Sequence, residues 1–194
     1  MSKKFGLING RFQPFHKGHQ EIVNEIMLDG LIPIIVLGSS NRNRDKLKNP
    51  LSYSQRKKLI RKVFPNVDIV FVYGIDYENW DEWYDQLMIK LSVVLTQEFD
   101  DNYGDIQTLR DSIVIYHNDK QVDRTSFEFR TKAYHNTWYT EIFSDEGFET
   151  REVAFVSRDD IKIDSNARDI RHNLEGLKHL LDARIYVQLK DWGW

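Results

Sequence analysis

Phe5-Gly6-Leu7-Ile8-Asn9-Gly10, followed by Arg11-Phe12-Gln13-Pro14-Phe15-His16-Lys17-Gly18-His19, is the stretch that decides the architecture. A short apolar run ends in a glycine-punctuated loop, and that loop opens into a helical pattern. From Gly18 to Asp29 the apolar residues Ile22, Val23, Ile26 and Met27 recur on one helical face, and Gly30 is placed to end the helix as a C-cap residue. Ile32 to Leu37 is then a second apolar strand. Strand, helix and strand in that order imply a parallel pair joined by a crossover.

The same alternation continues outward. Ser52 with Gln55 three residues later has the form of a capping box, starting a helix that runs through Val63 and stops at Pro65. Val67 to Tyr73 is the third strand. Trp80 to Leu95 carries Trp83, Tyr84, Leu87, Met88, Leu91, Val94 and Leu95 at helical spacing. Ile113 to Tyr116 supplies a fourth strand and Glu152 to Val156 a fifth. The expected fold class is therefore α/β, a doubly wound parallel sheet with helices on both faces. Ligands of such sheets bind beyond the carboxyl ends of the strands, which directs attention to the loops at 9–19, 38–51, 73–80 and 117–127.

Composition narrows the function classes. The chain has 194 residues, 41% hydrophobic and 29% charged, as expected of one globular domain and not of a disordered or membrane protein. With 27 basic and 30 acidic residues the formal net charge is −3, so no global basic field draws it to nucleic acid. It has no cysteine, hence no disulfide, thiolate zinc site or cysteine nucleophile. The first residues lack the apolar core of a signal peptide, and no apolar run is long enough to span a bilayer, so a cytoplasmic location is expected.

Charge is unevenly spread. Residues 41–62 hold nine basic residues and one acid, and residues 76–105 hold nine acids and one base, Lys90. The acidic run reads as a solvated face. Of the basic run, Arg56 to Lys62 lie on the expected second helix and read mostly as solvated surface. Arg42, Arg44, Lys46 and Lys48 sit in a loop beside the first turn, where they would form a funnel for anions.

The 10–19 segment carries the chemistry. His16 and His19 are three apart at the mouth of a helix, where backbone N–H groups and the dipole favour anions. Gly18 removes a side chain where a phosphate would approach, and Arg11 can fork onto phosphate oxygens. Taken alone, two histidines at a helix start would be expected to make caps or core hydrogen bonds. A zinc pair would prefer i, i+4 spacing with a nearby acid, so no metal site is assigned to the side chains.

The full string resembles the HxGH signature of the nucleotidylyltransferase superfamily, which implies a Rossmann-like sheet of the nucleotidylyltransferase type. Its Gly-Arg-Phe-Gln-Pro-Phe-His form is similar to the nicotinamide mononucleotide adenylyltransferases of the archaeal type and of the bifunctional enzymes that append a Nudix domain. Gly38-Ser39-Ser40 and Asn49-Pro50-Leu51-Ser52-Tyr53-Ser54-Gln55-Arg56 resemble two further stretches of that family, with Leu51 and Gln55 departing from its usual Phe and Glu. Asp76, Asn79 and Trp83 keep the spacing of the family's nicotinamide cluster. Ser165-Asn166-Ala167-Arg168-Asp169-Ile170-Arg171 resembles its late motif, with Arg168 where Thr is common. A weaker likeness covers Tyr116-His117-Asn118-Asp119-Lys120 with Thr125, Ser126 and Trp138. Any one of Trp80, Trp83 and Trp138 could equally be core filling.

The resemblance implies transfer of AMP from ATP to nicotinamide mononucleotide, giving NAD and pyrophosphate, with His16, His19, Arg11 and Arg171 as catalytic donors. Gly10, Phe12, Gly18, Gly38, Ser39, Ser165 and Ile170 would border ATP. Lys48 or Arg44 would take the acceptor phosphate, and Asp76, Asn79, Trp83 and His117 the rest of the acceptor. Mg²⁺ would accompany ATP, held mainly by substrate and water. A sister enzyme with another acceptor (nicotinate mononucleotide, phosphopantetheine) or with CTP as donor, and a nucleotide-sensing module without turnover, are the competing readings. The expected organisation is a single domain over 1–194, with its core at 4–172 and a helical, aromatic segment at 173–194. No glutamate-rich Nudix box is present, so pyrophosphohydrolase activity is not expected. The oligomeric state and the choice between amide and acid acceptors stay open, as does whether Trp192 and Trp194 fold back or enter a subunit interface.

Overall fold

The computed structural model describes residues 3–41, 48–77, 79–99, 102–118, 138–153 and 167–194. Five strands, β1 (Phe5–Gly10), β2 (Ile32–Leu37), β3 (Val70–Tyr73), β4 (Ile113–His117) and β5 (Glu149–Glu152), form one parallel sheet in the order β3-β2-β1-β4-β5. The order reverses between β1, whose next strand β2 lies on one side, and β4 on the other. The loop after β1 therefore opens at the switch point of the sheet, where such folds bind ligands.

The central strands are apolar along their length because both faces are covered. Helices α1 (Lys17–Leu28) and α2 (Tyr53–Val63) pack with the last helix, α7 (Ala183–Asp191), on one face, around Ile8, Ile35, Leu37, Val23, Ile26, Leu59, Ile60, Ile185 and Leu189. On the other face α3 (Trp80–Phe99), α4 (Ile106–Ser112) and α5 (Trp138–Asp145) cover Leu7, Ile34, Val36, Val70 and Ile115 with Leu87, Leu91, Leu95, Leu109 and Phe143. A short helix, α6 (Ala167–His172), and a 3₁₀ turn at Lys178–Leu180 precede α7.

Local signals account for most of these bounds. The Ser52 hydroxyl accepts from the Gln55 N–H at 3.2 Å while the Gln55 side chain accepts from the Ser52 N–H at 2.9 Å, a complete capping box. Asp29 caps the end of α1, and Gly30 follows at φ +73°, the left-handed position that glycine occupies without strain. Asp105 caps α4 through the Thr108 N–H at 2.9 Å, so one residue of the acidic run has a structural use.

Several boundaries differ from expectation, among them β3, which starts at Val70 and not at Val67. The fifth strand is Glu149–Glu152, starting three residues before the expected Glu152–Val156, of which residues 154–156 lie outside the described residues; its register pairs Val114 with Glu149 and His117 with Glu152, and it forms an edge of mostly exposed Glu and Arg with no apolar pattern. Helix α3 continues four residues past Leu95, to Phe99.

The aromatic end folds back. Trp192 and Trp194 pack against the core that α2 and α7 share, with the Lys58 ammonium 5.9 Å from the Trp192 ring. Across the sheet, Asp29 accepts from the Tyr116 hydroxyl and from Arg151 Nη1 at 2.6 Å, which ties the end of α1 to β4 and β5.

Gly6 shows how closely α1 approaches the sheet. A Cβ there would lie 2.5 Å from Ile26 Cγ2 and 3.0 Å from the Tyr116 ring. Gly6→Ala is expected to cost about 1–3 kcal/mol, the usual range for overpacking a core. Equilibrium urea unfolding checks this, and an unchanged midpoint would contradict the contact.

Candidate active site at the β1 and β2 carboxyl ends

The loop leaving β1 is held on three sides. Gln13 is buried and bonds the backbone of Leu51 twice, its Nε2 donating to Leu51 O and its Oε1 accepting from Leu51 N, both at 2.9 Å. Arg171 of α6 reaches back to donate to Gln13 O at 2.6 Å. From α2, Arg56 enters the gap between the loops after β1 and β2. Its Nη1 donates to Arg11 O and Gly38 O, each at 2.7 Å, and its Nη2 to Ser40 Oγ at 2.7 Å.

Arg56 corrects the expectation that Arg56 to Lys62 is mostly solvated surface. It is 1% exposed, while Lys57, Lys58 and Lys62 are exposed as expected. Burial pulls its guanidinium down to about 10, still far above neutral pH, so a fixed positive charge lies beneath both loops. Arg61 is also partly withdrawn, donating to Val67 O at 2.6 Å and Ile69 O at 3.0 Å. A readable signal existed for Arg56: it lies three and four residues before Leu59 and Ile60, on the core face of the helix.

At the mouth of α1, His16 is the N-cap residue and His19 the third helical residue. His19 Nδ1 accepts from the His16 N–H at 3.2 Å. The capping use anticipated for an isolated pair is thus present, and it has a chemical consequence. With Nδ1 accepting, the proton of a neutral His19 resides on Nε2, which is left as a donor. The two imidazoles stack at 3.7 Å, and His19 also meets the rings of Phe12 at 4.7 Å and Phe15 at 5.5 Å. Burial, seconded by the neighbouring His16, holds His19 well below the usual histidine range.

Phe12 adopts φ +49° and is buried, its ring folded over Gly10, where a Cβ would come within 3.1 Å of it. Ser39, at φ +52°, donates to Asp76 Oδ1 at 3.0 Å, and Asn41 and Asp76 exchange two hydrogen bonds, Asp76 N to Asn41 Oδ1 at 3.0 Å and Asn41 Nδ2 to Asp76 O at 3.3 Å. Asp76 thereby joins the loop after β3 to the loop after β2. Asn79 caps α3, accepting from the Glu82 N–H at 2.7 Å. Trp83, one turn further on, is partly buried, edge-on to Trp80 at 5.6 Å and to Phe143 at 6.1 Å.

The structure thus gathers Gly10, Arg11, Phe12, His16, Gly18, His19, Gly38, Ser39 and Arg171 around the ends of β1 and β2, with Ile170 buried behind Arg171. Asp76, Asn79 and Trp83 lie on the β3 side. His117 ends β4, and Lys48 is exposed. Arg42, Arg44, Lys46, Asp119, Lys120, Thr125, Ser126, Ser165 and Asn166 lie outside the described residues, as does the Trp138 side chain. Gln13 and Arg56 are the positioning groups that sequence reasoning did not single out. Among the described residues no helix is long and apolar enough to cross a membrane.

Comparison with known proteins is consistent with this geometry. The profile of the cytidylyltransferase-like family matches residues 7–142. A nicotinamide/nicotinic acid mononucleotide adenylyltransferase of Acinetobacter baylyi is 34% identical over 89 residues, covering 44% of this chain and 47% of that protein. A nicotinamide-nucleotide adenylyltransferase of Methanococcus maripaludis is 34% identical over 90 residues, 46% of this chain and 50% of that protein. The matches thus span about half the length of these curated relatives. Among solved structures, a bifunctional NMN adenylyltransferase/ADP ribose pyrophosphatase of Francisella tularensis, complexed with AMP and a manganese ion, superposes with a TM-score of 0.63 at 20% identity, covering 98% of this chain and 49% of that one. At that identity the likeness is one of fold.

Two tests follow from the geometry. Arg56→Met strands the carbonyls of Arg11 and Gly38 and is expected to cost about 2–4 kcal/mol in urea unfolding, whereas a loss within experimental error would show that the loops hold without the clamp. His19 supplies a pH dependence. Above its ordinary pKa of 6.5 both folded and unfolded chains carry it neutral; below that the unfolded chain takes up a proton that the folded site refuses, so stability falls as the solution is acidified. Melting temperatures taken from about pH 7 down to about pH 5 should fall more steeply in the parent than in His19→Gln, and parallel curves would contradict the assignment.

Proposed function

The chain belongs to the cytidylyltransferase-like family, and from that premise we propose that it transfers the adenylyl group of ATP to the 5′-phosphate of nicotinamide mononucleotide, forming NAD and releasing pyrophosphate. The observation that carries this reading is the loop after β1, which ends in a stacked histidine pair at a helix mouth and whose Gln13 carbonyl accepts from Arg171, from the far part of the chain. The names of the curated relatives support the choice of acceptor.

In this reading the acceptor phosphate is already anionic, so no general base and no covalent intermediate are needed. The chain's work is to align two anions and to neutralise the charge that grows on the α-phosphate and the leaving pyrophosphate. His16, His19, Arg11 and Arg171 supply N–H donors to the phosphate oxygens. His19 does so from Nε2, the nitrogen its capping bond leaves protonated. Gly10, Phe12, Gly18, Gly38, Ser39, Ser165 and Ile170 border ATP. Lys48 or Arg44 meets the acceptor phosphate, and Asp76, Asn79, Trp83 and His117 its pyridine side.

Mg²⁺ enters as part of the MgATP substrate and offsets triphosphate charge. The described residues hold no cluster of three His, Asp or Glu side chains, and the donors around the loop are nitrogen groups suited to phosphate oxygens. Residues 1–194 act in this reading as one nucleotidylyltransferase domain, in the cytoplasm.

Pyrophosphate release from MgATP should require nicotinamide or nicotinic acid mononucleotide and should fail with phosphopantetheine. Release with phosphopantetheine alone, or tight nucleotide binding without release, would replace this reading. His19→Ala should lower kcat roughly 10²-fold, the scale for removing a transition-state donor. An unchanged kcat would remove His19 from the mechanism.

A further inference from the structure

The sheet has two free edges, and they are protected in different ways. At one, β5 reads Glu149-Thr150-Arg151-Glu152, and its own charges discourage a further strand from adding. At the other, Ile69-Val70-Phe71-Val72-Tyr73 is β-branched or aromatic at every position, uncharged and free of Pro and Gly, a composition that pairs readily with a copy of itself. That segment carries no protection of its own.

Protection comes from the flanking helices. The inner side of β3 is taken by β2, with Gly74 N closing the ladder on Leu37 O at 3.1 Å. On the outer side the carbonyls of alternate residues are each met by a side chain. Arg61 of α2 donates from Nη1 to Val67 O at 2.6 Å and from Nη2 to Ile69 O at 3.0 Å. The Tyr53 hydroxyl, also from α2, donates to Phe71 O at 3.4 Å, and the Lys90 ammonium, from α3 on the opposite face, donates to Tyr73 O at 3.2 Å. Groups at these distances stand where the N–H groups of an added strand would have to come. The Arg61 guanidinium also lies 5.0 Å from the Phe71 ring and the Lys57 ammonium 5.1 Å from it, which puts two cations beside the middle of the strand.

We propose that the outer edge of β3 is a latent self-association surface, closed by Arg61 with Tyr53 and Lys90, and that its occupant once opened is β3 of a second copy of this chain. An anchoring role, in which these bonds only hold α2 and α3 to the sheet, would account for any one contact. It gives no reason for four outward carbonyls in a row to be filled, and it predicts loss of stability without ordered assembly.

The test compares the parent chain with Arg61→Met, which frees two of the carbonyls, and with Gly6→Ala, which weakens the fold at the α1 contact and leaves the edge closed. All are held at a temperature where circular dichroism shows them folded, and self-association is followed by sedimentation velocity over a concentration series. The association constant of Arg61→Met should exceed the parent value about tenfold, the scale of two modest hydrogen bonds freed to form between chains. Gly6→Ala should match the parent. In the assembled variant, hydrogen exchange of peptides covering residues 69–73 should slow relative to the parent. Adding Tyr73→Lys to Arg61→Met should return association to the parent level, because a lysine on the strand repels a second copy without restoring the Arg61 bonds. Lys90→Met, which frees Tyr73 O alone, is measured in the same way and decides the matter if Arg61→Met does not fold. An unchanged association constant in the folded edge variant, equal association of Gly6→Ala, assembly without slowing at 69–73, or assembly that persists with Tyr73→Lys overturns the proposal.

Discussion

A buried guanidinium holds the loops at the carboxyl end of the sheet together. The loops after β1 and β2 leave adjacent parallel strands, and each ends in backbone carbonyls that no strand partner satisfies. Arg56 satisfies Arg11 O and Gly38 O with one nitrogen and binds Ser40 with another. A lysine would bring a point charge; the planar fork reaches two loops at once. The Gln13 bonds to Leu51 and the Arg171 bond to Gln13 O extend the lattice, so the 10–19 segment is fixed by two side chains from later in the chain, Arg56 and Arg171, and by the backbone of Leu51.

That rigidity bears on the chemistry. If catalysis here is the alignment of two anions, donors must already stand in place before substrate arrives, because reorientation would consume binding energy. The His16–His19 arrangement fits this need: one hydrogen bond caps a helix, fixes the tautomer and leaves the opposite nitrogen as a donor. The contact that caps the helix is therefore also the one that leaves His19 Nε2 as a donor.

Much of the fold was legible because apolar periodicity reports burial, and burial determines strands and helices in a doubly wound sheet. The capping box at Ser52, the stripe on α1 and the long apolar face of α3 are cases in point. β5 was displaced because an edge strand of Glu and Arg carries no such periodicity, and its register comes from β4 alone. At the site, the glycines and histidines of the first loop could be read from local spacing and from likeness to known sequences. The clamp could not be read from charge, since a run of Lys and Arg looks solvated whether or not one member turns inward.

The aromatic end of the chain has a wider consequence. Helix α7 and the indoles beyond it lie on α2, the helix from which Arg56 springs, and cover Leu59 and Ile60 one turn further along. The last dozen residues thus serve as a buttress for loops more than a hundred positions upstream. Cargo fused to that end, or a peptide that pried it loose, would act at a distance, slackening the strand-end loops without touching them.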